Sequence, residues 1–240
     1  MSITFHPLGE AAVKVSFHQA VSPSLNNIIK AFCTNISLKD RGIIEWVPAY
    51  DSVTVYYDPW IFTYQQMTEL LNEIALKTEQ KPSNSKTIVT IPTLYGGEYG
   101  PDLEELAETK KLKTEDVISI HTDADYLVNM IGFLPGFPYL SGLDEKISMA
   151  RLEEPRQAVP AGSVGIAGSQ TGIYPLESPG GWNLIGRTPL RLYDLENENP
   201  FLLEQGDYLQ FKSITKEEFE QIKREIDEGT YKLERKEETK

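Results

Sequence analysis

A stretch that is rich in glycine and proline and poor in charge limits the folds open to this 240-residue chain. Residues 132–189 hold ten of its 17 glycines and seven of its 15 prolines, and Glu177 is the only charged residue between Arg156 and Arg187. Glycine permits backbone conformations that other residues avoid, and proline fixes φ and removes a hydrogen-bond donor. Over residues 132–211 the sequence offers only short extended runs between turns. Many short strands of this kind predict a sandwich or a closed β-barrel.

The first 78 residues carry a different pattern, in which short strands alternate with amphipathic helices. Two pairs of short extended runs are each followed by a helical pattern. Ser22 and Pro23 begin the first helix, and Thr63 can cap the second. The resulting order, β-β-α-β-β-α, predicts an α+β amino-terminal domain of ferredoxin-like type over residues 1–80, with both helices buried on one sheet face.

A polar segment, TEQKPSNSK, separates this domain from the rest and predicts a linker at residues 81–86. Residues 87–212 begin with a strand and two helices and continue into the short strands of a mostly-β barrel domain. Residues 213–240 are expected to form a charged carboxy-terminal helix, capped by Thr215 and Glu218, that frays into a tail.

The net charge of −13 and the isoelectric point near 4.8 argue against several classes of partner. An acidic field disfavours nucleic acid and anionic membrane surfaces. The longest uncharged run that looks apolar, residues 126–143, is interrupted by glycines and prolines, so it cannot form a membrane-spanning helix. The amino terminus lacks the basic start and apolar run of a signal peptide, so a cytoplasmic location is expected. Cys33, the single cysteine, permits no intrachain disulfide.

The sequence offers no recognised nucleotide-binding loop and little for a metal. The Walker phosphate loop and the G-x-G-x-x-G fingerprint are both absent. Three histidines are too few and too scattered for a convincing metal site, so no metal is expected on this chain. His121 lies close to Asp123 and Asp125. It fits a general base with an orienting partner, or else a histidine favoured at a helix C-terminus by the helix dipole.

The segment FLPGFPYL sets three aromatic residues, Phe133, Phe137 and Tyr139, on a backbone stiffened by two prolines. Large rings are unfavourable in water, so these residues line a pocket, pack on the core or meet a partner. Core packing alone does not explain why two prolines fix the loop. The segment is therefore a candidate contact surface.

Further along, Gln170, Tyr174 and Trp182 supply hydrogen-bonding groups and ring faces, and Arg156 and Arg187 supply positive charge. This set suits a small polar ligand that is partly anionic, because the guanidinium fork holds carboxylate or phosphate well. The alternative is a plain run of hairpin turns. The glycines of GSVGIAG likewise fit either β-bulges and barrel corners or a backbone nest for an anion.

Four long segments carry a resemblance to a known family: FHPLGEAAVKVSF, IPTLYGGEYGPDLEELA, GFLPGFPYLSGL and PRQAVPAGSVGIAGSQTGIYPLESPGGWNLIGRTPL. Over about residues 3–212 the chain resembles the KipI family, also called the 5-oxoprolinase B-subunit family or allophanate hydrolase subunit 1. The resemblance implies a small α+β amino-terminal domain and a cyclophilin-like β-barrel domain. It also implies that the chain acts in a complex with a C subunit of KipA type and a separate A subunit. This complex carries out the ATP-dependent opening of 5-oxoproline to L-glutamate.

The resemblance leads to a first hypothesis, a non-autonomous subunit of an ATP-dependent lactam hydrolase. ATP and Mg²⁺ would serve the assembled complex rather than this chain alone, and the glycine- and proline-rich segment would form one wall of a shared site. Arg156 and Arg187 would hold a substrate carboxylate or a developing acyl-phosphate charge, and His121 would transfer protons. Gln170, Tyr174 and Trp182 would shape the pocket.

A second hypothesis, from the meaning of the family name, is a binding module that inhibits a sporulation sensor histidine kinase. Phe133, Phe137 and Tyr139 would then dock on the helical dimerisation region of the kinase and prevent its autophosphorylation. The KipA-type partner would control this binding, and both roles can coexist on different faces. A third hypothesis is a scaffold that orders the C subunit without touching substrate.

Overall fold

A computed structural model describes residues 2–36, 42–78 and 85–239 of the chain. Contacts divide it into two compact units, Met1–Asn84 and Ser85–Lys240. This division falls within the predicted linker, of which residues 81–84 lie outside the described residues. Within the described ranges, no helix is both long and apolar enough to cross a membrane.

The first unit is an antiparallel four-stranded sheet, in the order β1-β2-β4-β3, whose core is shared with two helices. Alternating residues of the central strands, such as Val13 and Val15, are fully buried, as the period of two in a half-buried strand requires. The hydroxyl of Ser22 accepts a hydrogen bond from the backbone of Leu25, and Thr63 forms a capping box. The elements are β1 (Ile3–Pro7), β2 (Ala12–Phe17), α1 (Pro23–Asn35), β3 (Ile43–Pro48), β4 (Ser52–Tyr57) and α2 (Tyr64–Lys77).

The predicted order β-β-α-β-β-α is confirmed, but the ferredoxin-like arrangement is not. A ferredoxin-like domain runs β-α-β-β-α-β, so helices connect its strand pairs by crossovers. In this chain β1 pairs with β2 and β3 pairs with β4, each antiparallel neighbour being the next strand in sequence. The sheet is therefore built from two hairpins joined through the β2–β4 pairing.

The second unit is a closed seven-stranded barrel in the order β12-β9-β10-β7-β6-β13-β5, closed by pairing of β12 with β5. β13 and β5 run parallel and the other neighbours run antiparallel. The mostly-β barrel is thus confirmed, and its likeness to cyclophilin stays a prediction. The strands are β5 (Ser85–Tyr95), β6 (Tyr126–Ile131), β7 (Pro138–Ser141), β8 (Arg156–Val159), β9 (Ser163–Ala167), β10 (Gln170–Ile173), β11 (Ser178–Gly180), β12 (Asn183–Arg187), β13 (Tyr208–Ser213) and β14 (Arg235–Thr239).

Glycines make the closure of the barrel possible. The register of β12 shifts between Leu184 and Gly186, which is a β-bulge. A Cβ atom on Gly186 would lie 2.8 Å from the carbonyl oxygen of Leu94 on β5, too close for any side chain. This bulge lies outside GSVGIAG, so the interpretation of the glycines in that segment stays a prediction.

Three helices accompany the barrel: α3 (Leu103–Lys110), α4 (Thr114–Thr122) and α5 (Lys216–Asp227). α5 begins with the predicted capping box of Thr215 and Glu218. The residues after it were expected to fray into a tail, but β14 pairs antiparallel with β5 along five residues. The unpaired edge of β5 explains the difference, because an exposed strand edge is a template for a further strand.

Candidate functional site

A cavity of about 360 Å³ opens on the second unit, and aromatic rings form much of its wall. This volume lies in the range of small-molecule sites. The lining residues come from the FLPGFPYL segment, the segment before β8, the residue that follows β10, and β11 with the turn after it. They are Phe133, Phe137, Tyr139, Arg151, Leu152, Pro155, Tyr174, Pro179, Gly180, Gly181 and Trp182.

Phe137 is the centre of the aromatic wall. Its ring meets those of Tyr174 and Trp182 edge to face, at centroid distances of 5.3 and 5.5 Å. The ring of Phe133 meets it edge to face at 5.6 Å, and Tyr139 lies tilted at 5.2 Å. Edge-to-face pairs are favoured by the ring quadrupoles, so the rings hold one another in fixed orientations. The structure thus brings together five of the residues singled out from the sequence.

Two glycines give these rings their space. A Cβ atom on Gly172 would lie 2.9 Å from Cζ3 of Trp182, and one on Gly180 would overlap the hydroxyl of Tyr174. Neither glycine has a positive φ angle, so absence of a side chain, rather than backbone freedom, is what each position requires. The combination of glycines and large aromatic residues in this segment has a direct physical cause.

Phe133 stands at the rim of the cavity in an unfavourable backbone conformation. Its φ angle is 70°, and its side chain is 65% exposed. A bulky residue in the left-handed region is strained, and such strain persists where the surrounding structure imposes it. The turn that imposes it is held by hydrogen bonds from Gly132 N to Phe137 O and from Phe137 N to Leu134 O.

Tyr174 is buried, and burial raises the pKa of its phenol above the ordinary value. A backbone hydrogen bond from Trp182 and the charges of Arg151 and Arg156 oppose this shift without reversing it. The phenol therefore remains protonated at neutral pH. Because the phenol oxygen accepts from the backbone, its O–H remains a hydrogen-bond donor.

Among the described residues that line this cavity, Arg151 alone carries a charge, and sequence reasoning missed it. Its segment lies against the β11–β12 turn, since Leu152 N donates to Gly181 O at 2.8 Å and the side chain of Asn183 donates to Ala150 O at 2.8 Å. Within the described ranges no carboxylate forms a salt bridge with Arg151. The neighbouring Glu153 and Glu154 make the segment resemble an ordinary charged loop, so the sequence holds no signal for its role.

Arg156, expected to be an open anion clamp, is instead engaged within the protein. Its Nη2 lies 2.6 Å from a carboxylate oxygen of Asp102, and its Nη1 donates to the carbonyl of Trp182 at 3.4 Å. Asp102 is 6% exposed and also accepts from the backbone of Leu184. A buried carboxylate needs such a partner. Arg156 therefore stabilises the backbone behind Trp182 and does not itself face the cavity.

His121 is not at the cavity but inside the barrel, where its exposed fraction is 0%. Thr171 donates its hydroxyl proton to the carbonyl of Gly165, so it accepts from Nε2–H of His121, at 2.9 Å. Nδ1 then accepts from the hydroxyl of Tyr95 at 2.8 Å. Burial lowers the pKa of the imidazole from 6.5 to about 3. A neutral ring with both nitrogens engaged is not placed to transfer substrate protons.

The other two expected residues also lie away from the aromatic cavity. Arg187 ends β12 and lines a second, smaller cavity. Gln170 begins β10 opposite Ala167 and is not among the lining residues of either cavity. In the parts of the chain that the structure describes, no group of three or more histidine, cysteine or acidic side chains could hold a metal ion.

Comparison with known proteins gives this site a context. Residues 3–203 match the family described as carboxyltransferase domain, subdomain C and D. The chain is 41% identical over 233 residues to the 5-oxoprolinase B subunit of Bacillus subtilis (strain 168), covering 91% of this chain and 95% of that protein. A conserved uncharacterized protein from Pyrococcus horikoshii is 42% identical, with a TM-score of 0.54 over 90% of this chain and 100% of that one.

A more distant structure shares the fold. Urea amidolyase from K. lactis superposes with a TM-score of 0.80 over 98% of this chain and 16% of that chain, at 21% identity. The fold and the match of residues 3–203 define a carboxyltransferase-type domain of the C and D subdomain class. Within that class the chain belongs to the 5-oxoprolinase B-subunit family, as its similarity to the Bacillus subtilis protein shows along nearly the whole length of both.

Proposed function

We propose that this chain is the B subunit of an ATP-dependent 5-oxoprolinase, which converts 5-oxo-L-proline, ATP and water into L-glutamate, ADP and phosphate. The observation that carries the proposal is the 41% identity to a protein named as a 5-oxoprolinase B subunit, over 95% of that protein's length. The chain works with separate A and C subunits, the latter of KipA type, as a non-autonomous subunit of the enzyme.

The aromatic cavity is the proposed substrate site on this chain. 5-Oxoproline is a small flat lactam with one carboxylate, and the cavity offers ring faces beside one cation. Arg151 pairs with the carboxylate, since the guanidinium fork matches its geometry. Trp182 and Phe137 pack against the lactam ring. Tyr174 donates its O–H to the lactam carbonyl, which polarises the C=O bond and makes its carbon more open to attack by water before the C–N bond breaks.

Gly180 leaves room for the hydroxyl of Tyr174, because any side chain there would overlap that oxygen. Arg156 does not contact the substrate and acts through its hydrogen bonds to Asp102 and to the carbonyl of Trp182. It is a positioning residue, and it keeps the Trp182 backbone where it can bond the phenol of Tyr174. We assign the internal hydrogen-bond chain of His121 to holding β10 against α4.

Mg²⁺ does not fit the aromatic cavity. Magnesium prefers carboxylate, phosphate and water oxygens, and the described residues lining this cavity include one arginine and no carboxylate. We therefore assign ATP and its Mg²⁺ to the assembled complex. The aromatic cavity supplies the wall that binds 5-oxoproline, and no nucleotide step is assigned to it.

The test is glutamate formation from 5-oxoproline by the reconstituted three-subunit mixture, with and without ATP. Arg151→Ala should lower kcat/KM about tenfold or more, chiefly through KM, because it removes a charge-assisted contact with the substrate. Arg224→Ala, which removes an exposed arginine on α5 that does not line the aromatic cavity, is the matched control. Absence of ATP-dependent turnover in the complete mixture would refute the function. Normal turnover by Arg151→Ala would refute the site.

One observation favours the second candidate function, inhibition of a sensor histidine kinase. The exposed and strained ring of Phe133 suits a contact with another protein better than a core role. The kinase dimerisation region would then cover the cavity rim, and Phe133→Ala would abolish inhibition of autophosphorylation when the A and C subunits are both left out. If the Phe133→Ala variant and the unaltered chain inhibit autophosphorylation equally, the exposed ring of Phe133 no longer supports a kinase-inhibiting function.

A further inference from the structure

A second cavity, of about 280 Å³, lies between the end of β12 and one face of α5. The α5 wall consists of positions 219, 220, 223, 226 and 227, which the helical repeat brings onto one face. The opposite wall is formed by residues 187–189 and Arg191, which follow from β12. This cavity shares no lining residue with the aromatic cavity.

Arg187 lines this cavity, and its backbone is held by the paired strand β12. It occupies the last position of β12, paired with Leu94 and Ser163 on the two neighbouring strands. Its Cζ lies 5.3 Å from the ring centroid of Tyr99, and that ring packs on Phe219 of α5 at 5.0 Å. The guanidinium is therefore held in place by stacking rather than by a carboxylate, since no described acidic residue forms a salt bridge with it.

The Nε atom of Arg187 is buried and has no hydrogen-bond partner within the described residues. Buried donors in folded proteins are nearly always satisfied, and an unsatisfied one indicates a water, an ion or a ligand. The fork of Nε and Nη is the face with which arginine binds carboxylate or phosphate in a bidentate manner. The unsatisfied atom thus points to an acceptor that comes from outside the chain.

The charges around the cavity favour an anion. Arg187, Arg191 and Lys223 line it together with two acids, Glu220 and Asp227, which leaves one excess positive charge in a chain of net charge −13. Asp227 is engaged by Arg191 at 2.6 Å. Neither Arg187 nor Lys223 forms an ion pair with any described residue. These two cations, one from each wall, are open to a ligand.

We propose that this cavity binds an oxyanion group of a small molecule, a phosphate or a carboxylate, between Arg187 and Lys223. Arg187 provides the fixed fork and Lys223 the second charge from α5. The site is separate from the proposed 5-oxoproline cavity and does not depend on the hydrolytic reaction. Binding fastens α5 to the end of β12, so it also stabilises the second unit by mass action.

The experiment is a calorimetric titration of the full chain with inorganic phosphate and, in a separate arm, with acetate as the carboxylate, each against sodium chloride at equal ionic strength. We expect saturable binding with one site per chain in at least one arm, and the tighter arm identifies the oxyanion. Arg187→Ala should weaken that binding about tenfold or more, and Lys223→Ala about threefold. Arg224→Ala removes a neighbouring charge on the same helix outside the lining and should leave it unchanged.

Lys223 and Arg224 are both exposed on α5, so their variants keep the fold and the comparison remains valid even if Arg187→Ala does not fold. Arg187→Lys then serves as the second arginine variant, because it keeps the charge and removes the Nε donor. Absence of saturable binding in both arms overturns the proposal, and so does equal affinity of the Lys223→Ala and Arg224→Ala proteins. The titration uses this chain without its partners, so its outcome is independent of the 5-oxoprolinase assay.

Discussion

Replacing His121 with glutamine should remove part of the pH dependence of the protein's stability. The imidazole accepts from Tyr95 and donates to Thr171 inside the barrel. A glutamine amide offers the same pair of functions, an oxygen acceptor and an N–H donor, but it does not titrate. The variant therefore separates the charge of the imidazole from its place in the hydrogen-bond chain.

The expected magnitude follows from the pKa of His121, which burial lowers from 6.5 to about 3. In the unfolded chain the imidazole gains a proton as the pH falls through 6.5, whereas in the folded chain it stays neutral until about 3. Stability is thus lost as the pH falls between these values. One pKa unit corresponds to about 1.36 kcal/mol, so lowering the pH from about 7.5 to about 5.5 should cost about 1.4 kcal/mol through His121.

The assay is urea unfolding followed by the fluorescence of Trp182, in a background with Trp46→Phe and Trp60→Phe. Those two tryptophans belong to the first unit, so their removal leaves a reporter inside the barrel unit. The free energy of unfolding is measured at both pH values with and without His121→Gln. All other titrating groups are shared, so their contributions cancel in the difference between the two proteins.

We expect the stability of the parent to fall by about 1.4 kcal/mol more than that of the His121→Gln variant. A difference below about 0.5 kcal/mol would refute the reasoning, because it would mean that the folded imidazole titrates near its ordinary pKa. Such an imidazole would have access to solvent protons, and the hypothesis that His121 transfers protons during the reaction would regain its basis.

Three further predictions concern the site and the fold. Gly172→Ala should lower the free energy of unfolding by about 1–3 kcal/mol and shift the fluorescence emission of Trp182, because the new methyl group overlaps the indole ring. The control is Gly181→Ala, whose methyl group would meet only ordinary contacts, and it should change neither quantity. Phe133→Gly should be more stable to urea than Phe133→Ala by about 1 kcal/mol, the reverse of the usual order in loops, because only glycine relieves the positive φ angle. Thr215→Ala should cost about 1 kcal/mol in thermal unfolding through loss of the α5 cap, and an unchanged midpoint would contradict that cap.

Local rules predicted most of the fold because they act over a few residues. The helix caps at Ser22, Thr63 and Thr215 and the turn-rich strands of the barrel depend on near neighbours in sequence. The sheet order of the first unit and the pairing of β14 with β5 depend on which distant edges are open. The residue pattern of a strand does not indicate which other strand it will pair with. Sequence reasoning therefore missed the sheet order of the first unit and the pairing of β14 with β5.

The residues of the candidate site show the same contrast between what near neighbours in sequence determine and what distant residues determine. The rings of Phe137, Tyr174 and Trp182 were found because aromatic residues in a turn-rich segment are unusual wherever they fold. The four candidates that lie away from the aromatic cavity, Arg156, Arg187, His121 and Gln170, were chosen for their chemistry alone. The partners of Arg156 and His121 come from residues far away in sequence: Asp102 lies 54 residues before Arg156, and Thr171 lies 50 residues after His121. Those partners decide whether a charged or titratable group is structural or open to a ligand.

The acidity of the chain bears on both proposed anion sites. A net charge of −13 repels an anionic ligand at long range, and at physiological ionic strength this repulsion decays over about 8 Å. Within that distance the charges nearest to the ligand determine whether it binds, and these include Arg151 at the aromatic cavity and Arg187 at the second cavity. Because each lacks a salt bridge within the described residues, each can offset the repulsion locally without first losing a carboxylate partner. Arg156, already bound to Asp102, cannot. An acidic protein that binds anions must keep such cations unpaired.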